Sequence, residues 1–145
     1  MVMTVLAGFA AAAAFAVVYR VPKSEIFLCG VAGGCGWLAF CGARGVGEVG
    51  AYFLAAAAAA LLSEILARVR SQPVIVYLIP GVIPLVPGGM AYTTMLKFLQ
   101  NEYGAGLELL AATFFAAGAV AGGITVVSSA FRAFGSTKNR REKLR

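Results

Sequence analysis

Gly88, Gly89, Tyr92 and Thr93 have the types and the spacing to hold a small anion. Two glycines let a ligand approach the backbone, and at the start of a helix the free amides and the dipole favour negative charge. The hydroxyls of Tyr92 and Thr93 fall within the next turn and suit the ammonium or hydroxyl of a substrate. Thr94 and Tyr77 are weaker candidates. The plain roles to set against these are packing or a place in the interfacial belt for the tyrosines, and a bond back to a helix carbonyl for the threonines. No Lys or Arg lies in the middle of an apolar run, so no buried basic side chain competes for the anion. Glu64 is a candidate coupling carboxylate, yet Arg68 stands one helical turn away and an interfacial ion pair accounts for both residues.

Little else in the chain supports covalent or metal chemistry. With no histidine there is no imidazole ligand, triad or proton relay. Cys29, Cys35 and Cys41 are spaced six apart, which is neither a CxxC pair nor one helical face, and they read as small packing residues. No catalytic residue, metal or cofactor is expected, and an enzyme is the least supported class.

What must position the candidate anion site is the stretch 73–95, PVIVYLIPGVIPLVPGGMAYTTM, which holds four of the chain's five prolines. An interior proline removes a backbone donor and clashes with the carbonyl four residues earlier. Pro80, Gly81, Pro84 and Pro87 therefore predict a broken helix: a half-helix from residue 74, an unwound middle over 80–87, and a second half-helix from Gly88 or Gly89 to about residue 99. Non-helical backbone at membrane depth survives only where protein buries it or where it lines a cavity.

The remaining chain reads as membrane helices. Of its 145 residues 61% are hydrophobic and 12% charged, about half the charge density of a soluble domain. Apolar runs cover residues 3–19, 26–41, 49–66 and 107–131, joined by short polar connections, the longest over 100–106. Ser24 is the expected N-cap of the second run, with Glu25 placed against its helix dipole. Gly30 with Gly34 and Gly118 with Gly122 form GxxxG pairs that suit close helix contacts. These features predict an all-α integral membrane protein of five transmembrane helices, the fourth broken. The membrane domain covers residues 1–134, and residues 135–145 form an unstructured basic tail. Five crossings place ten Lys and Arg on one side and only Arg44 and Lys97 on the other. The positive-inside rule then puts the N-terminus outside and the tail in the cytoplasm.

The motif Ile83-Pro84-Leu85-Val86-Pro87-Gly88-Gly89, followed by Ala91-Tyr92-Thr93, resembles the membrane domain of the threonine/serine exporter family, in particular the small subunit of its split, two-gene form, the YjjB type. The resemblance implies export of threonine and serine, or of C4-dicarboxylates such as succinate, from the bacterial inner membrane. It also implies a larger partner subunit of the same family. An odd number of crossings suits one half of an inverted-repeat transporter, with the broken helices meeting at the site. A homo-oligomeric channel using the same broken segment, or a purely structural membrane subunit, are the competing readings.

Overall fold

The structure, a computed structural model, describes residues 2–142 and the side chains of residues 2–133. Among the described residues every regular element is helical: α1 (Val2–Val18), α2 (Ile26–Gly42), α3 (Glu48–Arg70), α4 (Ile75–Val82), α5 (Gly88–Leu99) and α6 (Tyr103–Glu142). Two 3-10 turns, Ala43–Val46 and Ile83–Leu85, complete the list. Ile26–Val46, Glu48–Arg70 and Tyr103–Ala133 are each long and apolar enough to cross a membrane. Ile75–Leu85 and Gly88–Leu99, bent by 42° at their junction, make a fourth if they form one span. Helix α1 is apolar throughout but has 17 residues. The protein is a multi-pass membrane protein.

Small residues bring these helices together. A water-free bilayer gives apolar helices little reason to associate by burial alone, so close backbone approach and dense packing must do it. Helix α2 touches α1, α3 and α4, and its glycines divide these contacts among them. Gly30 and Gly34 lie against the Phe9 side chain of α1, Gly33 fits between Ala12 of α1 and Gly81 of α4, and Gly36 meets Ala59 of α3 and Leu85. On α3 the alanine run supplies the facing surface: Ala55, Ala56, Ala59 and Ala60 are fully buried. Ala55, Ala56 and Ala59 form one core with Val82, Leu85 and Val120. A second core, Ala16, Cys29, Ala67 and Tyr77, sits nearer the other end of the bundle.

Charged side chains lie at the ends of the helices and in their connections. Arg70 of α3 reaches Glu25 in the α1–α2 turn at 2.7 Å, and Arg68 lies over the Phe131 ring of α6 at 4.3 Å. One end thus gathers the α1–α2 turn, the close of α3, the start of α4 and the later part of α6. Arg44 sits in the α2–α3 connection at the opposite end, 5.9 Å from the Phe40 ring.

Several expected boundaries move. Helix α6 starts at Tyr103 rather than near residue 107, because the connection closes in three residues. Asn101 takes the left-handed conformation (φ 60°), the Glu102 amide bonds the Lys97 carbonyl, and the Lys97 ammonium meets the Glu102 carboxylate at 2.6 Å. That is a Schellman stop followed at once by a new helix. The basic segment expected to be unstructured continues α6 as far as Glu142, and residues 143–145 of that tail lie outside the described residues. Of the second GxxxG pair, Gly122 faces Phe53 of α3 but Gly118 faces open space. The closest approach belongs to their neighbour Gly123, where an added Cβ would sit 2.5 Å from the Phe53 carbonyl oxygen.

That difference is measurable. Gly123→Val should lower stability by about 1–3 kcal/mol, the usual cost of forcing volume into a packed contact. Gly118→Val should leave the melting temperature in detergent micelles unchanged. Equal melting of the two variants would show that the α3–α6 contact is not seated on Gly123.

Candidate functional site

The broken segment is more helical than its prolines suggest. Pro80 lies inside α4, Pro84 is the second residue of the 3-10 turn, and the chain leaves helical geometry only at Val86 (φ −65°, ψ 128°) and Pro87 (φ −75°, ψ 50°). The expected unwound middle over Pro80–Pro87 is therefore corrected to a break at Val86–Pro87. Each proline has its own reason. Pro84 occupies the first turn of the 3-10 helix, where a missing amide costs nothing. The residue before a proline prefers extended backbone, and Val86 adopts it. Pro80 lacks the amide that would bond the Val76 carbonyl, and the Cys29 thiol of α2 donates to that carbonyl instead, at 3.3 Å. Pro80 is buried, and Gly81 packs tightly against Ala32 and Gly33 of α2. These two residues dock α4 on α2 and do not form the bend.

After the break α5 begins at once. The Gly88 amide bonds the Val86 carbonyl at 2.7 Å and the Ala91 amide bonds the Pro87 carbonyl at 3.1 Å. Gly89 and Met90 are then the amides at this end with no intrahelical acceptor. Gly88, Gly89, Tyr92 and Thr93 come together on the exposed side of α5, with Tyr92 71% exposed. A Cβ added at Gly88 or Gly89 would meet nothing. Thr93 donates its hydroxyl to the Gly89 carbonyl at 2.9 Å and Thr94 to the Met90 carbonyl at 2.8 Å. The Thr93 oxygen remains able to accept, and Thr94 is buried. On the inner side Tyr52 of α3 reaches the Met90 sulfur at 3.7 Å.

Glu64 does not join this group. It lies twelve residues beyond Tyr52 on α3, about 18 Å along the axis at 1.5 Å per residue. There its carboxylate pairs with Arg68 at 3.3 Å, and the Arg68 guanidinium also donates to the Phe131 carbonyl at 3.5 Å. Tyr77 is equally distant from the anion candidates in role: it is fully buried at the start of α4.

Tyr77 belongs to a cluster that spacing alone does not reveal. The Glu25 carboxylate, 4% exposed, accepts from the Tyr77 hydroxyl at 2.7 Å, from Arg70 Nη2 at 2.7 Å and Nε at 3.2 Å, and from the Ser24 hydroxyl at 3.0 Å. Glu25 occupies the N-cap position of α2, but neither it nor Ser24 caps with a side chain. The carboxylate instead joins α2, α3 and α4. Arg70 above all, then Tyr77, holds the Glu25 carboxyl down at about 2 against an ordinary 4.5, outweighing the opposite effect of burial. The one signal in the sequence was an acid beside one predicted helix start and a cation beside another helix end on the same side.

The depressed carboxyl gives a pH window. Because folding lowers its pKa, the stabilisation is complete above pH 4.5 and is lost as the pH falls toward about 2. Thermal unfolding of the wild type in micelles should weaken across that range. Glu25→Gln should start from a lower melting temperature and show a flatter acid limb, and Tyr77→Phe should move the limb to higher pH. An acid limb unchanged in Glu25→Gln would place the titration elsewhere.

No curated protein and no solved structure matches the chain. A family profile described as threonine/serine exporter, ThrE, matches residues 4–130, which include α1 to α5, the break at Val86–Pro87 and most of the membrane part of α6. The chain belongs to the threonine/serine exporter (ThrE) family.

Proposed function

We propose that this chain is a membrane subunit of a secondary exporter of small carboxylate metabolites, threonine and serine or C4-dicarboxylates such as succinate, and that it works with a larger subunit of the same family. The observation that carries the reading is the break between α4 and α5, which frees the Gly89 and Met90 amides in an otherwise apolar segment. A helix start of this kind stabilises a carboxylate without a buried basic residue. Tyr92 and Thr93 lie beside it. Since the Thr93 hydroxyl proton is engaged by Gly89, its oxygen acts as an acceptor, which suits an ammonium or hydroxyl on the substrate.

The exposure of this face favours a partner. A carrier must close its site against lipid and bulk water during transit, and Gly88, Gly89, Tyr92 and Thr93 have no wall on their outer side among the described residues. A second subunit presenting its own broken helix supplies that wall. In this arrangement α1 is a fifth crossing, α4 and α5 form one bent crossing, and the odd count makes the chain one half of an inverted-repeat pair. The charge asymmetry sets the N-terminus outside and the basic end of α6 in the cytoplasm of a bacterial cell.

Two experiments test this. In the reconstituted pair, Gly89→Val should abolish binding and counterflow while leaving the fold intact, because its side chain enters open space. Thr93→Val should weaken binding by about 1 kcal/mol, roughly fivefold, for one hydrogen bond. Glu64→Gln should transport normally. Full transport by a folded Gly89→Val would remove the helix start from the site. Separately, with Cys29, Cys35 and Cys41 replaced by Ser, Asn101→Cys should react with an impermeant thiol reagent from outside and Ser71→Cys only from inside. The opposite pattern would invert the topology.

A further inference from the structure

The basic end of the bundle carries a groove unrelated to the break. It has a volume of about 280 Å³ and lies between the α1–α2 turn, residues 19–22, and the outer side of α4 at Ile75, Ile79 and Pro80. Its walls are apolar and open: Ile75 is 62% exposed and Tyr19 56%. Arg20 lies at its edge and Lys23 follows in the same turn.

Arg20 occupies a position that normally goes to glycine. Its φ is 56°, and the bonds from the Arg20 amide to the Val17 carbonyl and from the Val21 amide to the Ala16 carbonyl, each 3.0 Å, make it the left-handed residue of a Schellman stop. A side chain in that conformation is strained relative to the glycine that usually takes it, and here it places a cation at the mouth of the groove. Among the described residues neither Arg20 nor Lys23 belongs to an ion pair, and the nearby acid, Glu25, is fully engaged by Arg70, Tyr77 and Ser24. The uncompensated cation of Arg20 thus borders an apolar slot, and exposed Lys23 follows one residue beyond its lining turn.

We propose that this groove binds one anionic phospholipid, its phosphate on Arg20 and Lys23 and an acyl chain along the exposed Ile75 and Ile79. A free phosphate uses the cations and leaves the apolar walls unused, whereas a zwitterionic lipid fills the walls but neutralises the cations less well. A phospholipid with a net negative headgroup satisfies both. Because the groove's far wall is α4, the lipid also presses on the first half of the broken span, on the side of α4 that the Glu25 cluster does not hold. The inference stands on the membrane reading and is independent of the exported substrate.

Native mass spectrometry of the full chain from micelles doped with phosphatidylglycerol or phosphatidylcholine tests it. The wild type should retain one phosphatidylglycerol in strong preference to phosphatidylcholine. The preference should fall about fivefold for each of Arg20→Gln and Lys23→Gln. Ile79→Trp, which fills the slot and leaves the charges, should reduce retention of both lipids. Inorganic phosphate added in excess should not displace the bound lipid. Equal retention of the two lipids, a preference that survives the double Gln variant in folded protein, or displacement by inorganic phosphate would each overturn the proposal, the last by assigning the cations to a free anion.

Discussion

A backbone group at membrane depth has no water to bond, and the broken helix pair α4–α5 is built around that constraint. Pro80 leaves the Val76 carbonyl without its helical donor, and Cys29 supplies one from the neighbouring helix. Pro87 leaves the Ile83 carbonyl without its usual partner, and the Val86 amide turns back to it at 3.1 Å through the 3-10 turn. The Pro87 carbonyl in turn accepts from Ala91. The amides left free at the break are those of Gly89 and Met90, in the first turn of α5. The same sequence that breaks the helix therefore localises the break to two residues and concentrates its free donors at one place.

That economy depends on the scaffold being able to come close enough to help. A thiol reaches a carbonyl on another helix only where the helices nearly touch, and the contact of Gly81 with Ala32 and Gly33 sets α4 against α2 at that distance. Glycines around α2 and alanines along α3 let the remaining helices pack at comparable range. The Glu25 cluster adds a polar tie at the basic end. An Arg–carboxylate pair in which both oxygens and a buried tyrosine participate is stronger and more directional than an exposed ion pair such as Lys97–Glu102.

Much of this was legible from residue types. The apolar runs, the helix-breaking stretch, the start of α5 at Gly88 and the pairing of Glu64 with Arg68 all follow from local rules, because each depends on residues within a turn or two of one another. The misreadings have one physical origin. Counting Pro80 and Pro84 as breakers ignored where each falls relative to its own turn and what a neighbouring helix could donate. Assigning Glu25 to a helix dipole ignored Arg70, 45 residues away, and Tyr77, 52 residues away. In the same way Gly118 satisfied a spacing rule while Gly123, outside the motif, made the contact, since the rotation of α6 against α3 is decided by packing and not by spacing. Tertiary partners are what a single sequence conceals.

The distribution of ties along α4 and α5 gives the pair a mechanical character. Helix α4 is held near its start by Tyr77 to Glu25, in its middle by Cys29 and Gly81 to α2, and at its end by Val82 and Leu85 in the core with α3. Helix α5 packs chiefly on α6, where Gly106 lies against the Phe98 ring, and touches α3 through a weak Tyr52–Met90 contact. The two helices flanking the break therefore lean on different neighbours, α4 on α2 and α3 and α5 on α6, and are joined by Val86 and Pro87. Rotation at that joint needs no rupture of the α4 contacts, whereas movement of α4 itself would have to break a buried carboxylate cluster and a substituted helix hydrogen bond. A rotation at Val86–Pro87 that leaves these α4 contacts intact has instead to shift α5 on α6, taking the exposed Gly88, Gly89, Tyr92 and Thr93 with it.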